Sequence, residues 1–388
     1  MEAQHILQDG GGARRGQDGA AYRLVEQLFA AADVRLDGSR PWDMRLHAPG
    51  VPQRLLAQGS LGLGESYMDG HWSCESPDQL FERLLAAGLE GEQRSWRVAL
   101  HKLRARWQNL QTEARAWQVG RQHYDLGNDF YAAMLDPRMT YTCAFWQQAA
   151  TLDEAQEHKL DLVCRKLDLR PGQRVLDIGC GWGSFMKFAA ERYGVHCVGV
   201  TISAEQAALG RERCAGLPVE FRLMDYRGLD ERFDHIVSLG MFEHVGQKNY
   251  ATYMDVARRC LADEGLFLLH TIGRNDHGHG TDPWIHRYIF PNGELPTIAG
   301  IGRACEGRFV VEDLHNFGAD YDRTLMAWHA NFEAAWPRFA ERLGERFQRM
   351  WRYYLLSCAG AFRARDIQLW QWVLAKPGRR GVYPRVAH

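Results

Sequence analysis

The sequence lacks an excess of charge of either sign. Its 388 residues include 47 Lys and Arg against 48 Asp and Glu, which leaves a formal net charge of −1. Proteins that bind nucleic acid usually carry a clear basic excess, so we do not expect nucleic acid as a partner. Attraction to an anionic surface has to come from local clusters of basic residues.

The cysteines lack any regular pairing. There are nine of them, an odd number, and none forms a Cys-x-x-Cys pair. This pattern favours reduced thiols in the cytosol over a disulfide framework or a structural zinc site. The stretch NDHGHG (275–280) contains two histidines, His277 and His279, but no set of residues with metal-ligand spacing surrounds them. We expect a solvated loop there and no bound metal.

Long apolar runs are also missing. Residues 1–20 have no apolar core of the kind found in signal peptides, and no stretch approaches the ~20 apolar residues of a membrane span. We therefore expect a cytoplasmic protein that is soluble or peripheral to a membrane. The same residues 1–20 are rich in glycine and polar side chains, which predicts a mobile arm.

Helical patterns fill the first part of the chain. Helical periodicity begins at Ala21 and occurs again over residues 78–89. The length of the chain suggests that these helices belong to the first of two domains. Between them, GSLGLGESYMDGHW (59–72) predicts either a packed turn or a loop that faces lipid or a partner. We assign residues 21–118 to a smaller, mainly helical N-terminal domain that associates with lipid or a membrane.

The last helical pattern of this domain, residues 93–118, interleaves basic residues with apolar ones. A basic helix with tryptophans suits a membrane interface, although a packed linker helix or a dimer interface explains it equally well. The residues concerned are Arg94, Arg97, Lys102, Arg104 and Arg106, with Trp96 and Trp107 among them.

Strand and helix patterns alternate over the remaining residues, 119–388. The predicted strands are RVLDIG, CVGVTIS, VEFRLMD, FDHIVSLG and LFLLHTIG, and helical segments at 153–168, 184–193, 204–215 and 249–261 separate most of them. This order predicts an α/β domain with a doubly wound, mostly parallel sheet. Residues 273–330 interrupt the alternation, and we expect them to contain an insertion that covers the substrate.

A glycine-rich turn follows the first predicted strand. RVLDIGCGWGSF (174–185) spaces Asp177, Gly179, Gly181 and Gly183 at alternate positions. Glycine allows positive φ and close approach of the backbone to a ligand, although a tight strand-to-helix turn alone would also explain the pattern. The loop reads GxGxG where a nicotinamide site prefers GxGxxG, and the second strand ends in Thr201 where that site prefers an acidic residue. S-adenosylmethionine therefore fits better than NAD.

Several motifs occur in an order that resembles one known family. They are YDLGNDFY, YTCAFW, LDIGCGWG, GVTISAEQ, GMFEHVG, LLHTIG and CAGAFRARDIQLWQ. Together they resemble the cyclopropane-fatty-acyl-phospholipid synthases over nearly the whole chain. The resemblance implies a Rossmann-like class I methyltransferase domain. It also implies transfer of a methyl group from S-adenosylmethionine to the cis double bond of an acyl chain in a membrane phospholipid, where the added carbon closes a cyclopropane ring.

The strand ends and the resemblance together define the expected cofactor site, because ligands of such sheets bind beyond the carboxyl ends of the strands. The predicted residues are Tyr141, Thr142, Asp177, Gly179, Cys180, Gly181, Gly183, Thr201, Ser203, Gln206, Asp225 and Tyr226. The expected partners are a phospholipid bilayer with unsaturated chains, at the inner face of the membrane, and a second copy of the chain in a homodimer.

The resemblance further implies a bound bicarbonate ion that acts as the base. Its holders would be the side chains of Cys143, Glu243, His270 and Tyr321 and the backbone of Ile272. Without the resemblance, these residue types identify an active site less specifically. Glu243 lies among apolar neighbours in the sequence, so its carboxylate needs a partner. His270 and Cys143 could equally be buried residues of the hydrophobic core. We include Cys358 as a catalytic candidate, although a structural role near the substrate is expected because the alkene attacks the methyl group directly.

Other functions remain open at this point. Proteins of similar sequence make methyl-branched acyl chains or methylate amines, and a lipid-binding protein on a methyltransferase scaffold is a third alternative. The intact glycine loop and Asp225-Tyr226 argue against the last of these, since a degenerate cofactor site would tolerate bulkier residues.

Overall fold

The computed structural model describes residues 12–88, 126–276 and 281–386, with side chains from residue 19 onward. The basic segment 93–118 and the two histidines of 275–280 therefore lie outside the described residues. Helix α1 spans Gly12–Ala31, so helical structure begins within the segment 1–20 that we expected to be a mobile arm.

One seven-stranded sheet forms the centre of the fold. Its strand order is β5-β4-β3-β6-β7-β9-β8, in which β3 to β7 pair in parallel and β9 runs antiparallel to both of its neighbours, β7 and β8. The strands are β3 (Arg174–Ile178), β4 (His196–Thr201), β5 (Val219–Leu223), β6 (His235–Leu239), β7 (Leu266–Arg274), β8 (Val310–Asn316) and β9 (Ile367–Ala375). A separate small sheet pairs β1 (Arg45–Leu46) with β2 (Trp72–Ser73).

Helices cover both faces of the large sheet and extend beyond it. The N-terminal helices after α1 are α2 (Val51–Gln58), α3 (Ser60–Met68) and α4 (Pro77–Ala86). The helices around the sheet are α5 (Asn128–Met134), α6 (Leu152–Lys166), α7 (Ser184–Tyr193), α8 (Ala204–Arg213), α9 (Tyr250–Cys260), α10 (Pro283–Tyr288) and α11 (Ile298–Cys305). Two long helices follow, α12 (Ala319–Ala335) and α13 (Ala340–Arg363).

The predicted doubly wound sheet is confirmed, and each of the five predicted strands is present. The four predicted helical segments correspond to α6, α7, α8 and α9. The sequence patterns did not reveal β8 and β9. Edge strand β8 exposes Val310 and Leu314, and β9 buries Gln368 and Gln371, so neither strand shows the usual apolar pattern.

Two hydrophobic clusters lie on the two faces of the sheet, and a third joins the N-terminal helices to the C-terminal ones. The third cluster contains Phe29 of α1, Leu80 of α4, Trp284 of α10 and Trp351 of α13. The expected domain boundary falls on residues outside the described ranges, but on either side of it the two parts of the chain share this one core.

The stretch 59–72 is part of this core. It forms helix α3, and the Trp72 indole, which is fully buried, donates a hydrogen bond to the carbonyl of Leu63 at 2.9 Å. Trp284 packs against Gly64 of the same helix, and its ring centroid lies 4.4 Å from that of Tyr353. The structure therefore supports a packed segment at 59–72 and not a loop that faces lipid or a partner.

No helix in the described parts of the chain is long and apolar enough to cross a membrane.

We predict that Gly64→Ala destabilises the protein. A Cβ atom at Gly64 would lie 2.3 Å from Cδ1 of the buried Trp284, so the indole or the helix has to move. Overpacking of this kind typically costs ~1–3 kcal/mol. The free energy of unfolding, measured by urea denaturation, should fall by about that amount.

Gly50→Ala is the matched control, because a Cβ atom at Gly50 meets nothing within 4 Å and its φ is −81°. Its effect should stay within about 1 kcal/mol. Equal stability of the two variants would contradict the packing of α3 against α10.

Candidate active site at the carboxyl ends of the parallel strands

The glycine loop lies where the winding of the sheet reverses. β3 pairs with β4 on one side and with β6 on the other, so the loop after β3 opens at the switch point between them. Its three glycines have φ values of +88°, +52° and +81° at Gly179, Gly181 and Gly183. All three therefore adopt a backbone conformation that other residues rarely reach.

The three glycines differ in what surrounds them. A Cβ atom at Gly179 would lie 2.6 Å from Met241, and one at Gly183 would lie 2.4 Å from Phe221. A Cβ atom at Gly181 meets nothing within 4 Å. Gly179 and Gly183 thus allow close packing inside the protein, while Gly181 faces open space, as expected of a residue that a ligand approaches. Cys180, between them, is buried.

Asp177, the penultimate residue of β3, has a buried side chain that is only 3% exposed. Its Oδ1 has no hydrogen-bond partner in the described residues. Burial raises the pKa of Asp177 to about 7, and the neighbouring Lys159 opposes this rise. A buried carboxylate oxygen without a partner is costly, so the position is suited to a bound polar ligand.

Thr201, Ser203 and Gln206 form a hydrogen-bonded turn after β4. The Thr201 hydroxyl donates to Gln206 Oε1 at 3.2 Å, and Ser203 Oγ caps helix α8 by accepting from the Gln206 backbone N–H at 3.3 Å. All three side chains are buried. The turn accounts for these residue types locally and places them beside the glycine loop, at the carboxyl end of β4.

Asp225 and Tyr226 follow β5. The Asp225 carboxylate accepts from the backbone N–H of Arg227 at 2.9 Å and forms an ion pair with its guanidinium at 3.0 Å. The Tyr226 hydroxyl is buried and has no partner in the described part of the chain. Like Asp177, it is a polar atom left available at this edge of the sheet.

Tyr141 and Thr142 reach the same edge from the segment between α5 and α6. A Cβ atom at Gly240, just after β6, would lie 2.8 Å from Thr142 Cγ2, so the two residues are in close contact. The Tyr141 hydroxyl lies 3.0 Å from that of Tyr354 on α13. The structure thus brings these residues, which precede the sheet in sequence, to the end of β6.

Glu243 lies in a short 3₁₀ helix, Phe242–His244, after β6. Its Oε1 accepts a hydrogen bond from the backbone N–H of Ile272 at 2.6 Å, so Ile272 orients the carboxyl group. Oε2 is buried without a partner in the described residues. Burial raises the pKa of Glu243 to about 7, and the hydrogen bond from Ile272 works against the rise.

His270 of β7 is 1% exposed and held by the neighbouring strand β9. Gln371 Nε2 donates to His270 Nδ1 at 3.2 Å, which leaves the ring proton on Nε2. Nε2 has no partner within the described ranges. Burial, and then the positive charges of Lys159 and Lys166, hold the pKa of His270 well below its usual range. The ring is therefore a neutral hydrogen-bond donor.

Cys143 and Tyr321 lie in the same region. Cys143 is fully buried, and burial raises the pKa of its thiol well above the usual range. The ring of Tyr321 stacks on Phe362 at 4.6 Å. Burial also raises the pKa of Tyr321, followed by the nearby ionisable groups of Cys143, Tyr141 and Glu243. These groups thus lie within electrostatic range of the Tyr321 hydroxyl.

Cys358 of α13 is a thiol and not a thiolate. It is half-buried, and burial raises its pKa to about 12. Nucleophilic cysteines have lowered pKa values, so the structure gives Cys358 no sign of a covalent role.

Two buried residues that contact the site, Lys159 and Gln371, were not among the predicted site residues, although Gln371 is the last residue of the motif CAGAFRARDIQLWQ. Lys159 is fully buried on α6 and donates to Thr142 Oγ1 at 2.8 Å. A signal was present, because Lys159 and Lys166 occupy the apolar face of a predicted helix, where a charged residue is unusual. The role of Gln371 depends on the pairing of β7 with β9, which the sequence patterns did not predict.

Among the described residues, no group of three His, Cys, Asp or Glu side chains is arranged to hold a metal ion.

A mostly parallel seven-stranded sheet with the glycine loop at its switch point defines the class: this is an S-adenosylmethionine-dependent methyltransferase. The cyclopropane synthase MmaA2 from Mycobacterium tuberculosis superposes with a TM-score of 0.63 at 33% identity, over 69% of this chain and 100% of that one. The mycolic acid cyclopropane synthase CmaA1, complexed with SAH and CTAB, also gives 0.63, at 34% identity over 67% of this chain and 98% of that one.

The chain belongs to the mycolic acid cyclopropane synthetase family, whose model matches residues 111–372. It is 54% identical to the cyclopropane-fatty-acyl-phospholipid synthase of Escherichia coli strain K12 over 362 residues, 93% of this chain and 95% of that protein. It is 42% identical to a probable fatty acid methyltransferase of Pseudomonas putida over 269 residues, 66% of this chain and 68% of the relative. The resemblance seen in the sequence motifs is thus confirmed, and the protein is a cyclopropane synthase.

We predict that Glu243→Gln stabilises the protein at alkaline pH. The pKa of Glu243 is raised in the folded state, from 4.5 to about 7, so its contribution to stability is present below about pH 4.5 and is lost as the pH rises through 7. Glutamine keeps the acceptor for Ile272 and carries no charge. The free energy of unfolding at about pH 8 should rise by ~1–3 kcal/mol relative to wild type.

The comparison is made by urea denaturation at about pH 8 and about pH 4.5, where the gain should disappear. Glu345→Gln, at an exposed position of α13, serves as the control and should change stability little at either pH. A variant that is less stable than wild type at the higher pH would contradict the destabilising burial of the Glu243 charge.

Proposed function

We propose that the protein transfers a methyl group from S-adenosylmethionine to the cis double bond of an unsaturated acyl chain in a membrane phospholipid. A proton is then lost to a bound bicarbonate ion, and a cyclopropane ring closes. The single observation that carries this proposal is a pair of buried polar atoms without partners in the described residues, the donor His270 Nε2 and the acceptor Glu243 Oε2.

These two atoms fit bicarbonate. The ion accepts hydrogen bonds through its carboxylate oxygens and donates one through its hydroxyl group, so it matches a site that offers one donor and one acceptor. His270 would donate from Nε2, and Glu243 would accept at Oε2 while Ile272 fixes its other oxygen. Cys143 and Tyr321 would complete the surroundings. When bound, bicarbonate supplies a base that accepts the proton.

The residues at the carboxyl ends of β3, β4 and β5 fit S-adenosylmethionine. Gly181 offers an open approach to the backbone, Asp177 offers a carboxylate oxygen, and Tyr226 offers a hydroxyl group. We assign Tyr141, Thr142, Thr201, Ser203, Gln206 and Asp225 to the same cofactor site. When bound, the cofactor supplies an electrophilic methyl group.

The remaining task of the protein is to keep the reacting carbon atoms dry and well placed. Attack by an alkene leaves a carbocation, which water would quench. Tyr141, Trp328 and Tyr321 are packed ring to ring, with centroid distances of 5.1 Å and 5.9 Å. Aromatic faces stabilise cations by ~0.5–2 kcal/mol each, and correct positioning can supply ~7–11 kcal/mol of a barrier.

Amine methylation is less well supported as a function. An amine is nucleophilic without the help of an anionic base. Methylation of an amine would therefore not require a bound anion between His270 Nε2 and Glu243 Oε2. A coclaurine N-methyltransferase superposes with a TM-score of 0.68 over 81% of this chain, but at 24% identity it shows the fold alone.

Access to a double bond inside a bilayer requires contact with the membrane, because the cofactor is water-soluble. We include in the proposal that the enzyme acts at the inner face of the membrane and as a homodimer. The basic segment 93–118 is the proposed contact, and it lies outside the described residues.

We predict that Gly181→Val abolishes binding of S-adenosylmethionine and leaves the fold intact. The new side chain would fill the open space beside the loop and exclude the ligand. Isothermal titration calorimetry measures the affinity, and circular dichroism checks the fold.

Gly172→Val is the matched control. Gly172 also has a positive φ, +84°, and open space around it, but it lies before β3, away from the carboxyl ends of the strands. It should suffer similar backbone strain and still bind the cofactor. Normal binding by Gly181→Val would rule out the loop as the cofactor site.

We predict that Glu243→Ala and His270→Ala each lower turnover on phospholipid vesicles by ~10²–10⁴-fold, the usual contribution of a positioned base. Affinity for S-adenosylmethionine should survive in both variants, because neither residue belongs to the proposed cofactor set. Turnover is followed by mass spectrometry of extracted fatty acids, which gain one CH₂ and lose their reactivity as alkenes. Near-normal turnover in either variant would remove that residue from the proposed anion site.

A further inference from the structure

Glu243 does not lie in the sheet itself. It belongs to a turn, residues 243–247, that joins the end of β6 to the 3₁₀ helix Gln247–Asn249 in front of α9. Connecting segments are the more mobile parts of a fold, whereas a binding group has to be held within about 0.5 Å of its productive position. The Glu243 turn therefore needs support from other elements.

Glu294 binds both ends of the Glu243 turn. Its backbone N–H donates a hydrogen bond to the carbonyl of Glu243 at 2.8 Å. Its side chain accepts a hydrogen bond at Oε2 from the backbone N–H of Gln247 at 2.9 Å. One residue, located between α10 and α11, thus contacts the first residue of the turn with its main chain and the last with its carboxylate.

The segment that contains Glu294 also holds the strand that orients the Glu243 carboxyl group. Arg274, the last residue of β7, donates its backbone N–H to the carbonyl of Pro296 at 2.9 Å. Ile272, two residues earlier on β7, is the donor to Glu243 Oε1 at 2.6 Å. Residues 294–296 therefore link the turn that carries the carboxylate to the strand that supplies its hydrogen bond.

We propose that Glu294 is a positioning residue of the anion site: by holding the Glu243 turn at both ends, it keeps Glu243 Oε2 in place relative to His270 Nε2. The inference rests on the proposed bicarbonate site and adds to it a residue outside every sequence motif. Glu294 lies within 273–330, the region that we expected to cover the substrate, so this region also supports the site of the base.

The contact of the Glu294 side chain requires an acceptor oxygen and not a negative charge. The donor, the backbone N–H of Gln247, is neutral, so an amide oxygen at position 294 could accept the same hydrogen bond. Alanine at this position keeps the backbone bond to Glu243 and loses the bond to Gln247. Glutamine and alanine variants therefore separate the positioning contact from the other effects of a substitution.

The test measures the turnover of the full-length enzyme on unsaturated phospholipid vesicles, in buffer freed of carbon dioxide, as bicarbonate is added. In Glu294→Ala, the bicarbonate concentration that gives half-maximal turnover should rise about three- to tenfold, the ratio expected from the loss of one hydrogen bond. The affinity for S-adenosylmethionine, measured by calorimetry, should stay unchanged, because the contacts of Glu294 are made with the Glu243 turn.

Glu294→Gln keeps the acceptor and should restore the wild-type bicarbonate requirement. Glu264→Ala is the matched control. Glu264 also accepts a hydrogen bond from a backbone N–H, that of Arg380 at 3.1 Å, but it lies beside the amino end of β7, at the opposite edge of the sheet. Its loss should leave the bicarbonate requirement unchanged.

Gln247→Pro removes the same hydrogen bond from the donor side and replaces Glu294→Ala if that variant does not fold. Proline is tolerated at the first residue of a helix, which is the place of Gln247. An unchanged bicarbonate requirement overturns the inference, and so does an equal rise in Glu294→Gln or Glu264→Ala. A parallel loss of cofactor affinity also overturns it. Wild-type turnover that is independent of bicarbonate would overturn the proposed function, and this inference with it.

Discussion

Buried polar atoms that have no hydrogen-bond partner in the described residues are the constraint on which the rest of this structure depends. Glu243 Oε2, His270 Nε2 and Asp177 Oδ1 all lie at or next to the carboxyl ends of the parallel strands, away from water. Each costs folding free energy, since a buried polar group without a hydrogen bond is destabilising by ~1–3 kcal/mol. The large shared core of the N-terminal helices with α12 and α13 supplies stability elsewhere and covers this edge of the sheet.

Neighbouring residues orient two of these three atoms. The Ile272 N–H donates a hydrogen bond to Oε1 of Glu243, so Oε2 has no such bond. Gln371 donates to Nδ1 of His270, so Nε2 is the ring nitrogen that remains. The result is one oriented acceptor, Glu243 Oε2, and one oriented donor, His270 Nε2. Preorganisation of this kind favours a ligand that has both hydrogen-bonding characters, which is the basis of the proposed bicarbonate site.

Much of the fold could be predicted from the sequence, because β3 to β7 are apolar runs separated by periodic helices. Strands β8 and β9 could not, since one exposes valines at the sheet edge and the other buries glutamines. The glycine loop was recognisable as a motif, but the sequence could not show that Gly179 and Gly183 serve packing against Met241 and Phe221 while Gly181 faces open space. The contacts of Lys159 and Gln371 depend on tertiary structure; the sequence shows only that Lys159 lies on the apolar face of a predicted helix and that Gln371 ends one of the motifs.

The central claim is that the pair Glu243 and His270 holds an anion that accepts the proton. The most direct measurement is the turnover of the wild-type enzyme on unsaturated phospholipid vesicles in buffer freed of carbon dioxide, followed by addition of bicarbonate. The account predicts that turnover falls strongly without bicarbonate and returns in a saturable manner when it is added, at constant pH and ionic strength. Turnover that is independent of bicarbonate would contradict the claim.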